Sequence, residues 1–336
     1  MTERSLRIDL KFSALTVFRS NERVDLLMKE VTFDKLRENE IVIKVSYSSI
    51  NFKDRLICQG NTGLVRRFPH VPGIDAVGHV TISNSPRFKV GDQVLVIATP
   101  LGVKCAGGLA EYTKIPDDWA MPIPENLTAR DVAAFGTAGF TAALAISKLE
   151  QYETSNKNGP ILITGAAGGV GLIAAFILLA RGYEVELVSS DPNITTLFAN
   201  QDRVSFVSYA EFLNQKSFPL LKSKYAGAIE NVGGEALSIA LRSLHNDSKL
   251  CAIGMAKSEN LNVSVMPFIL RAVHIVGINA ESTDSLTREK IWRLIAEMRP
   301  HVPIEKISRE CSLEEVCHHL MGSGGISGIG RMLVKI

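Results

Sequence analysis

The chain has 336 residues, of which 46% are hydrophobic and 21% charged, as in soluble globular proteins of about two domains. The formal net charge is +2 and no block rich in Lys and Arg occurs, so nucleic acid and anionic membrane surfaces are poor candidates for partners. Five scattered cysteines without a C-x-x-C pair, and an N-terminus (MTERSLRIDLKF) without an apolar segment, indicate a cytoplasmic protein with reduced thiols.

The first third of the chain has the pattern of β structure, and the part that follows alternates strands with helices. EIVIKVSYSSI (40–50) and DQVLVIATP (92–100) are rich in β-forming residues. From about Ala129 the strand candidates are ILIT (161–164), EVELV (184–188), VSFV (204–207), AGAIE (226–230), KLCAIG (249–254) and HIVGI (274–278). The segments between them are mostly long enough for a helix, which predicts an α/β fold with a doubly wound parallel sheet of six strands.

The last part of the chain changes character again. SLTREKIWRLIAEMRP (285–300) has the pattern of an amphipathic helix, and SLEEVCHHLM (312–321) begins with Ser312 and Glu315 at capping-box spacing. RMLVKI (331–336) is a closing strand. Because this tail is too short for a domain of its own, we expect it to complete the β domain, which then comprises 1–130 and 280–336 around a doubly wound domain at 131–279.

One apolar run raises the question of a membrane span. No charged residue occurs from Ile161 to Ala180, which is the length of a transmembrane helix. Glycines interrupt the first half of the run, however, and β-branched residues precede them. A strand, a glycine turn and a helix in this order predict a phosphate-binding loop, in which backbone N–H groups and the helix N-terminus hold a pyrophosphate.

A dinucleotide therefore is the predicted ligand of the six-stranded domain. Later turns fit the same interpretation, because ligands bind beyond the carboxyl ends of parallel strands. The residues assigned to the cofactor on this basis are Gly165, Ala167, Gly168, Gly169, Val170 and Gly171 in the loop, Asn231 and Gly233 after the fourth strand, and Gly254 and Met255 after the fifth. Each of the later turns has an equally good interpretation as a simple helix entry.

Several stretches together resemble the medium-chain dehydrogenase/reductase superfamily over the whole chain. They are SSINFKD (48–54), RRFPHVPGIDAVGHV (66–80), RFKVGDQV (87–94), GGLAEY (107–112), GTAGFTAALAISKLE (136–150), ITGAAGGVG (163–171) and MPFILR (266–271). The sequence is most similar to the zinc-independent branch of acrylyl-CoA reductases and quinone oxidoreductases.

The resemblance implies a GroES-like β domain, a Rossmann domain and a cleft that holds NAD(P)H. It also implies a homodimer through the edge strand HIVGI. The implied activity is NADPH-dependent reduction, by hydride transfer, of an activated C=C bond, as in acrylyl-CoA-like enoyl thioesters, or of a quinone. A non-catalytic NAD(P)H-binding redox sensor or structural protein is the alternative. The resemblance further implies cofactor contacts from Phe52, Thr137, Thr141, Ile269 and Arg331.

Zinc sites of the related metal enzymes have no counterpart in the sequence. Asn51 stands where the resemblance places the first cysteine ligand, and Asp75 lies in GIDAVG, where zinc enzymes have His-Glu. The adjacent residues Cys317, His318 and His319 point about 100° apart on a helix, so they converge poorly on one ion. The sequence therefore predicts no metal.

The motif SSINFKD supplies the candidate catalytic residues. Asn51 is a candidate amide donor to the substrate or the nicotinamide ribose, and Lys53 and Asp54 are candidates to orient each other or a water. A helix-start role for Asp54 and a solvated Lys53 are equally good interpretations. Phe52 departs from the tyrosine that relatives carry and cannot deliver a proton.

Two further groups bear on specificity. Arg66 and Arg67 are candidates to hold an anionic substrate such as a CoA thioester, although surface solubility explains them at least as well. The second strand of the sheet ends at Ser189 and Ser190, whose small hydroxyls favour NADPH. Asp191 opposes a 2′-phosphate and leaves NADH possible, and Arg203 is the nearest downstream residue that could supply the missing positive charge.

Overall fold

The computed structural model of the chain describes residues 5–21, 23–151, 159–321 and 329–336. These residues form two compact units. The first runs to Thr137 and resumes at Ser308 and again at Arg331, and the second contains Ala138–Ile307 together with Gly330.

The elements follow in chain order. They are β1 (Leu6–Ser20), β2 (Arg23–Leu36), β3 (Glu40–Ser49), α1 (Phe52–Cys58), β4 (Ala76–Ser83), β5 (Gln93–Val96), β6 (Tyr112–Pro116), β7 (Met121–Pro122), α2 (Ala129–Glu150), β8 (Ile161–Thr164), α3 (Gly169–Ala180), β9 (Val185–Ser189), α4 (Ile194–Leu197), β10 (Val204–Ser208), α5 (Tyr209–Leu213), β11 (Tyr225–Glu230), α6 (Gly234–Arg242), β12 (Leu244–Ala252), α7 (Met266–Arg271), β13 (His274–Gly277), α8 (Ser285–Met298), α9 (Ile304–Ile307), β14 (Ser308–Ser312), α10 (Val316–Met321) and β15 (Arg331–Lys335). Short 3₁₀ turns occupy Asp117–Trp119 and Arg299–His301.

The first unit is built from β structure. The long strands β1 and β2 form an antiparallel hairpin, and a seven-stranded sheet has the order β14-β15-β3-β4-β5-β7, with β6 paired to β3. The last strand pairs with β3 through Leu333 and Ser49, so the end of the chain returns to the β unit as the sequence predicts. Ser312 and Glu315 exchange backbone-to-side-chain hydrogen bonds before α10, which confirms the capping box there.

The second unit contains one sheet of six parallel strands in the order β10-β9-β8-β11-β12-β13. All six strands were predicted from the sequence, and the doubly wound α/β fold is confirmed. The strand order reverses at β8, whose neighbours are β9 on one side and β11 on the other. The carboxyl end of β8 is therefore the topological switch point at which such sheets bind ligands.

The charge-free run belongs to the core of this sheet. Its residues form β8, a turn and α3, and every residue from Gly171 to Leu179 is buried. Within the described ranges, α2 is the one helix that is long and apolar enough to cross a membrane, and 83% of its most apolar window is buried in the protein. Both segments are core elements, as their packing shows.

The boundary between the units differs from the prediction at 280–307. The sequence assigned this segment to the β domain, whereas α8 and α9 belong to the second unit. The reason is the apolar face of α8, whose Trp292 is 1% exposed and packs with its ring 6.3 Å from that of Phe140 in α2. The amphipathic pattern indicates that such a helix packs, but it does not identify the surface against which it packs.

Candidate active site

The polar residues of the first unit converge on one buried carboxylate. Asp75, directly before β4, has no solvent exposure. Its oxygens accept hydrogen bonds from Ser49 Oγ at 2.6 Å, Asn51 Nδ2 at 2.8 Å, and Thr137 Oγ1 at 2.6 Å. The backbone N–H of Thr137 also donates, at 3.0 Å. These donors satisfy the hydrogen-bonding capacity of a carboxylate that has no contact with solvent.

Arg331 is the counter-ion of Asp75. Its guanidinium is 4% exposed, and its Nη2 lies 3.6 Å from Asp75 Oδ2. The same group donates to the carbonyl of Ala134, the carbonyl of Ile50 and the side chains of Asn51 and Ser49, all within 3.2 Å. Burial lowers the pKa of Arg331, and the negative charge of Asp75 opposes that effect. With its N–H groups engaged within the unit, Arg331 acts as a counter-ion, which differs from the cofactor contact that the resemblance implies.

A break in α2 makes room for this cluster. Gly136 interrupts the helix with φ 50° and ψ −157°. A Cβ atom there would lie 2.5 Å from Arg331 Nη2, 2.6 Å from Asp75 Oδ2 and 2.7 Å from Ser49 Oγ. The break also starts a new helical segment at Thr137, whose N–H donates to the Asp75 carboxylate, a favourable arrangement at a helix N-terminus.

Asp54 is the second buried carboxylate of the cluster. Its Oδ1 accepts from the backbone N–H groups of Gly73 and Ile74, at 3.1 and 2.9 Å, and its Oδ2 accepts from that of Asn51 at 2.8 Å. Burial and then the negative charge of Asp75 raise the pKa of Asp54 to about 7, against the effect of these donors. Asp54 lies in the first turn of α1, so it has the helix-start role that the sequence offered as one interpretation.

Asn51 bonds mainly within the cluster. Its Nδ2 donates to Asp75 and to the carbonyl of Ser49, and its Oδ1 accepts from Arg331. The amide N–H groups that the sequence offered to a substrate therefore already have acceptors in the same unit. Phe52 is 50% exposed, and Lys53 is partly buried.

The predicted substrate arginines are both exposed. Arg66 and Arg67 precede the Phe68–Pro69 bond, which has the cis form. Neither has a hydrogen bond in the described part of the first unit that would fix its guanidinium, which is compatible with the surface role and with the substrate role alike.

The glycine loop of the second unit joins β8 to α3 at the switch point. Gly165 has φ 60°, and Gly168 is the N-cap of α3, with its N–H donating to the carbonyl of Gly165 at 3.0 Å. A Cβ at Gly171 would lie 2.7 Å from Ala166 Cα, so the helix approaches the turn too closely for any other residue. The first N–H groups of α3 are those that an α-helix leaves without an internal partner, which suits a diphosphate.

The ends of β9 and β10 bear on the coenzyme. Asp191 follows β9 and accepts a hydrogen bond from the N–H of Asn193 at 3.0 Å, and Ser189 Oγ accepts from the N–H of Asp191 at 3.0 Å. Arg203, in contrast, lies at the amino end of this strand pair, since the N–H of Val185 donates to its carbonyl.

Arg203 is therefore at the wrong end of the sheet for the predicted role. The two ends of a five-residue strand lie about 13 Å apart, so Arg203 and Ser189 are at least that far apart along the strand direction. The Arg203 side chain donates instead to the carbonyl of Leu179 at 2.9 Å. The signal was present in the sequence, because Arg203 opens a strand that runs parallel to its neighbour.

The remaining predicted cofactor residues lie near the carboxyl ends of the strands or on exposed surface. Gly233 has φ 77° and donates its N–H to Glu230, and a Cβ at Gly254 would lie 2.4 Å from the carbonyl oxygen of Asn231. Met255 and Ile269 are exposed, by 56% and 73%, and Thr141 is buried.

Sequence reasoning missed two buried acidic residues, one in each unit. They are Asp75, which was considered only as a missing metal ligand, and Glu230, which ends β11 and is fully buried. Burial raises the pKa of Glu230, and backbone N–H groups and Thr164 counteract this effect. A charged residue that closes an apolar strand, as in YAGAIE, is the signal that would have found Glu230.

No metal-binding group is found among the residues that the structure describes. Within those ranges, no three His, Cys, Asp or Glu side chains lie together in a way that could hold an ion. Cys317 lies on α10 beside His318 and His319, and Cys317 packs against an apolar cluster of the first unit while His318 is exposed.

Similarity to known proteins agrees with this geometry. Residues 37–125 match the alcohol dehydrogenase GroES-like domain family. The acrylyl-CoA reductase AcuI of Ruegeria pomeroyi is 35% identical over 307 residues, which are 91% of this chain and 93% of the relative. YhfP of Bacillus subtilis, which bears the name of a quinone oxidoreductase, is 34% identical over 332 residues, which are 97% of this chain and 99% of the relative.

Solved structures show the same fold. The yhdH oxidoreductase from Salmonella enterica in complex with NADP has a TM-score of 0.90 at 31% identity, covering 96% of this chain and 99% of that chain. YhfP with NAD bound has a TM-score of 0.90 at 34% identity, covering 97% of this chain and all of that chain (100%). The chain therefore belongs to the medium-chain dehydrogenase/reductase superfamily, in the branch that contains acrylyl-CoA reductases and quinone oxidoreductases.

Proposed function

We propose that this protein is a zinc-independent, NADPH-dependent reductase of activated C=C bonds, such as those of acrylyl-CoA-like enoyl thioesters, or of quinones. The observation that carries the proposal is the glycine loop between β8 and α3, which lies at the switch point of a six-stranded parallel sheet. Relatives of nearly the same length with bound NADP or NAD support this assignment.

The proposed roles belong to each unit by itself. The loop from Gly165 to Gly171 binds the diphosphate through backbone N–H groups and the N-terminus of α3. When bound, NADPH supplies the hydride that reduces the substrate. In the first unit, Asp75 and Arg331 fix the amide of Asn51.

Proton delivery involves Lys53 or water in this proposal. Phe52 carries no hydroxyl, and Asp54 is buried behind three backbone N–H donors. Lys53 lies between these two residues on α1 and is the titratable side chain of the motif that is not fully buried. A protonated Lys53 would stabilise a developing enolate before the proton is transferred.

A binding protein without catalytic activity is the second candidate. The exposed ring of Phe52 and the internal hydrogen bonds of Asn51 favour it, because both groups lack a free donor for a substrate. Such a protein would bind NADPH and oxidise none of it.

The test is NADPH oxidation at 340 nm with acrylyl-CoA and with 1,2-naphthoquinone, combined with fluorescence titration of NADPH. We expect at least one substrate to accelerate oxidation in proportion to enzyme. If NADPH binds and neither substrate accelerates its oxidation, the second candidate replaces the first.

Asp191 sets the coenzyme preference in this proposal. Asp191→Asn removes a negative charge at the end of β9, where a 2′-phosphate would lie. We expect the Kd for NADPH to fall by about fivefold, which corresponds to about 1 kcal/mol for a partly exposed charge. The Kd for NADH should rise.

The control for this prediction is Asp202→Asn, which makes the same charge change at the opposite end of the strands. Asp202 is exposed and directly precedes Arg203. Isothermal titration of both coenzymes compares the variants. Equal shifts in the two variants would mean that Asp191 acts only through net charge.

We also propose a homodimer through β13 and a cytoplasmic location. The strand β13 is the edge of its sheet, and apolar side chains on it and in the α7 segment that precedes it in the chain are exposed: Ile275 by 39%, Val265 by 64%, Ile269 by 73% and Leu270 by 57%. Exposed edges and apolar patches of this kind mark interaction surfaces.

Ile269→Lys should halve the mass measured by sedimentation, whereas Leu286→Lys, an equally exposed apolar site on α8, should not.

A further inference from the structure

Glu230, at the end of β11, accepts hydrogen bonds from three donors. Its Oε1 accepts from Thr164 Oγ1 at 2.9 Å, from the N–H of Val232 at 2.9 Å and from that of Gly233 at 3.0 Å. Its Oε2 accepts from Gly233 as well, at 3.0 Å. The side chain has no solvent exposure, so each bond forms in a dry environment where it is strong.

The hydroxyl of Thr164 connects Glu230, at the end of β11, to the end of the neighbouring strand β8. Thr164 ends β8 and is followed by Gly165, the first residue of the glycine loop. Its Oγ1 accepts from the N–H of Asn231 at 3.0 Å, and its carbonyl accepts from Asn231 Nδ2 at 2.8 Å. Three hydrogen bonds thus join the ends of β8 and β11 immediately before the loop.

The turn after β11 is shaped around the carboxylate. Gly233 and Gly234 have φ of 77° and 60°, values that favour glycine, and the successive N–H groups of Val232 and Gly233 both donate to the Glu230 carboxylate. The N–H of Gly233 is therefore used internally, and the predicted cofactor role of Gly233 reduces to backbone shape.

Asn231 is left with one buried acceptor. Its Nδ2 is held by the Thr164 carbonyl, and within the described residues its Oδ1 is buried and accepts no hydrogen bond. Buried polar atoms without a partner are rare and indicate a functional group or a ligand contact. A hydroxyl of the dinucleotide has the donor that this oxygen needs.

We propose that Glu230 is a positioning residue for the dinucleotide. Through Thr164 and Asn231 it holds the glycine loop and the side-chain oxygen Oδ1 of Asn231 in their binding geometry before the cofactor arrives. This inference rests on the proposed function, and it concerns the binding of the coenzyme and not the chemical step.

The test compares Glu230→Gln and Thr164→Val with a matched control. Glu230→Gln keeps the shape and removes the charge, while Thr164→Val removes the link without a change of charge. The control is Glu186→Gln on β9, since Glu186 is equally enclosed at 4% exposure and accepts from Tyr225 Oη and Lys224 Nζ at 2.5 Å. It lies at the amino end of its strand, away from the loop.

We expect both test variants to raise the Kd and the KM for NADPH about tenfold, with kcat at saturating NADPH unchanged. Thr164→Ser should restore the wild-type Kd, and the double variant should be no weaker than the worse single variant, because both remove one linkage. Glu186→Gln should lower Tm and leave the Kd within twofold.

Three results would overturn the inference. They are an unchanged Kd in Thr164→Val, a tighter Kd in a folded Glu230→Gln protein, or an equal loss of affinity in Glu186→Gln. If Glu230→Gln does not fold, Thr164→Val and Thr164→Ser decide alone. A wild-type protein that binds no NADPH would instead remove the proposed function itself, which separates the two failures.

Discussion

Gly168→Asp is expected to weaken NADPH binding by more than about 100-fold while the protein keeps or gains thermal stability. Gly168 is the exposed N-cap of α3 with φ −75° and ψ 163°, a conformation open to every residue. An added Cβ would meet only the carbonyl oxygen of Gly165, at 3.3 Å. Aspartate is a favoured N-cap residue, but its carboxylate would occupy the N–H groups and the positive helix end that bind the diphosphate.

The control for this change is Gly168→Asn, which has the same shape and capping ability without the charge. We expect it to weaken NADPH binding by about tenfold, so the two variants separate electrostatic repulsion from obstruction. Fluorescence titration gives the affinities, and thermal melts followed by circular dichroism give the stabilities. Wild-type affinity in a folded Gly168→Asp protein would place the diphosphate elsewhere and end the functional proposal.

Local signals explain why the second unit was predictable from the sequence. The strands β8 to β13 are short apolar runs separated by helical segments. The glycine loop can be recognised because the strand, the turn and the helix that define it follow each other directly in the sequence. The assignment of 280–307 to the wrong unit shows where such signals end. An amphipathic pattern indicates that one face of a helix is buried, but it does not identify the element that covers this face. For α8 that element is α2, whose Phe140 contacts Trp292.

The cluster of the first unit was not predictable in the same way. Asp75, Gly136 and Arg331 lie in three distant parts of the chain. Read locally, each has an ordinary structural role: Asp75 is an acidic loop residue, Gly136 a glycine within a helix, and Arg331 a charged residue at the start of a strand. Their meaning depends on long-range contact, such as the 3.6 Å between Arg331 and Asp75. Sequence reasoning reached Asn51 and Asp54 because the motif SSINFKD is contiguous, but not the ion pair that holds them.

Asp75→Asn is expected to lower the free energy of unfolding of the first unit by about 3–5 kcal/mol and to abolish reductase activity. The amide keeps the shape of the side chain but leaves the 4%-exposed guanidinium of Arg331 without its counter-charge. It also turns N–H groups toward the donors of Thr137 and Asn51. Loss of a buried partner charge costs far more than loss of an exposed pair.

The two tryptophans allow this effect to be measured in one unit at a time. Trp119 lies in the first unit and Trp292 in the second, so urea unfolding in a Trp292→Phe background reports the first unit through Trp119 fluorescence. Asp117→Asn is the control, because Asp117 is also buried, at 6% exposure, but pairs with the exposed Arg87 and should cost only about 1 kcal/mol.

The double variant Asp75→Asn/Arg331→Met is expected to be more stable than the sum of the two single losses predicts. If the cost arises from an uncompensated buried cation, removal of that cation should recover part of the lost stability, whereas independent contacts would make the two losses add. Reductase activity should stay absent in the double variant, because Asn51 then has neither the acceptor nor the donor that fixes its amide. Additive losses would show that Asp75 and Arg331 stabilise the unit separately and that no ion pair holds Asn51.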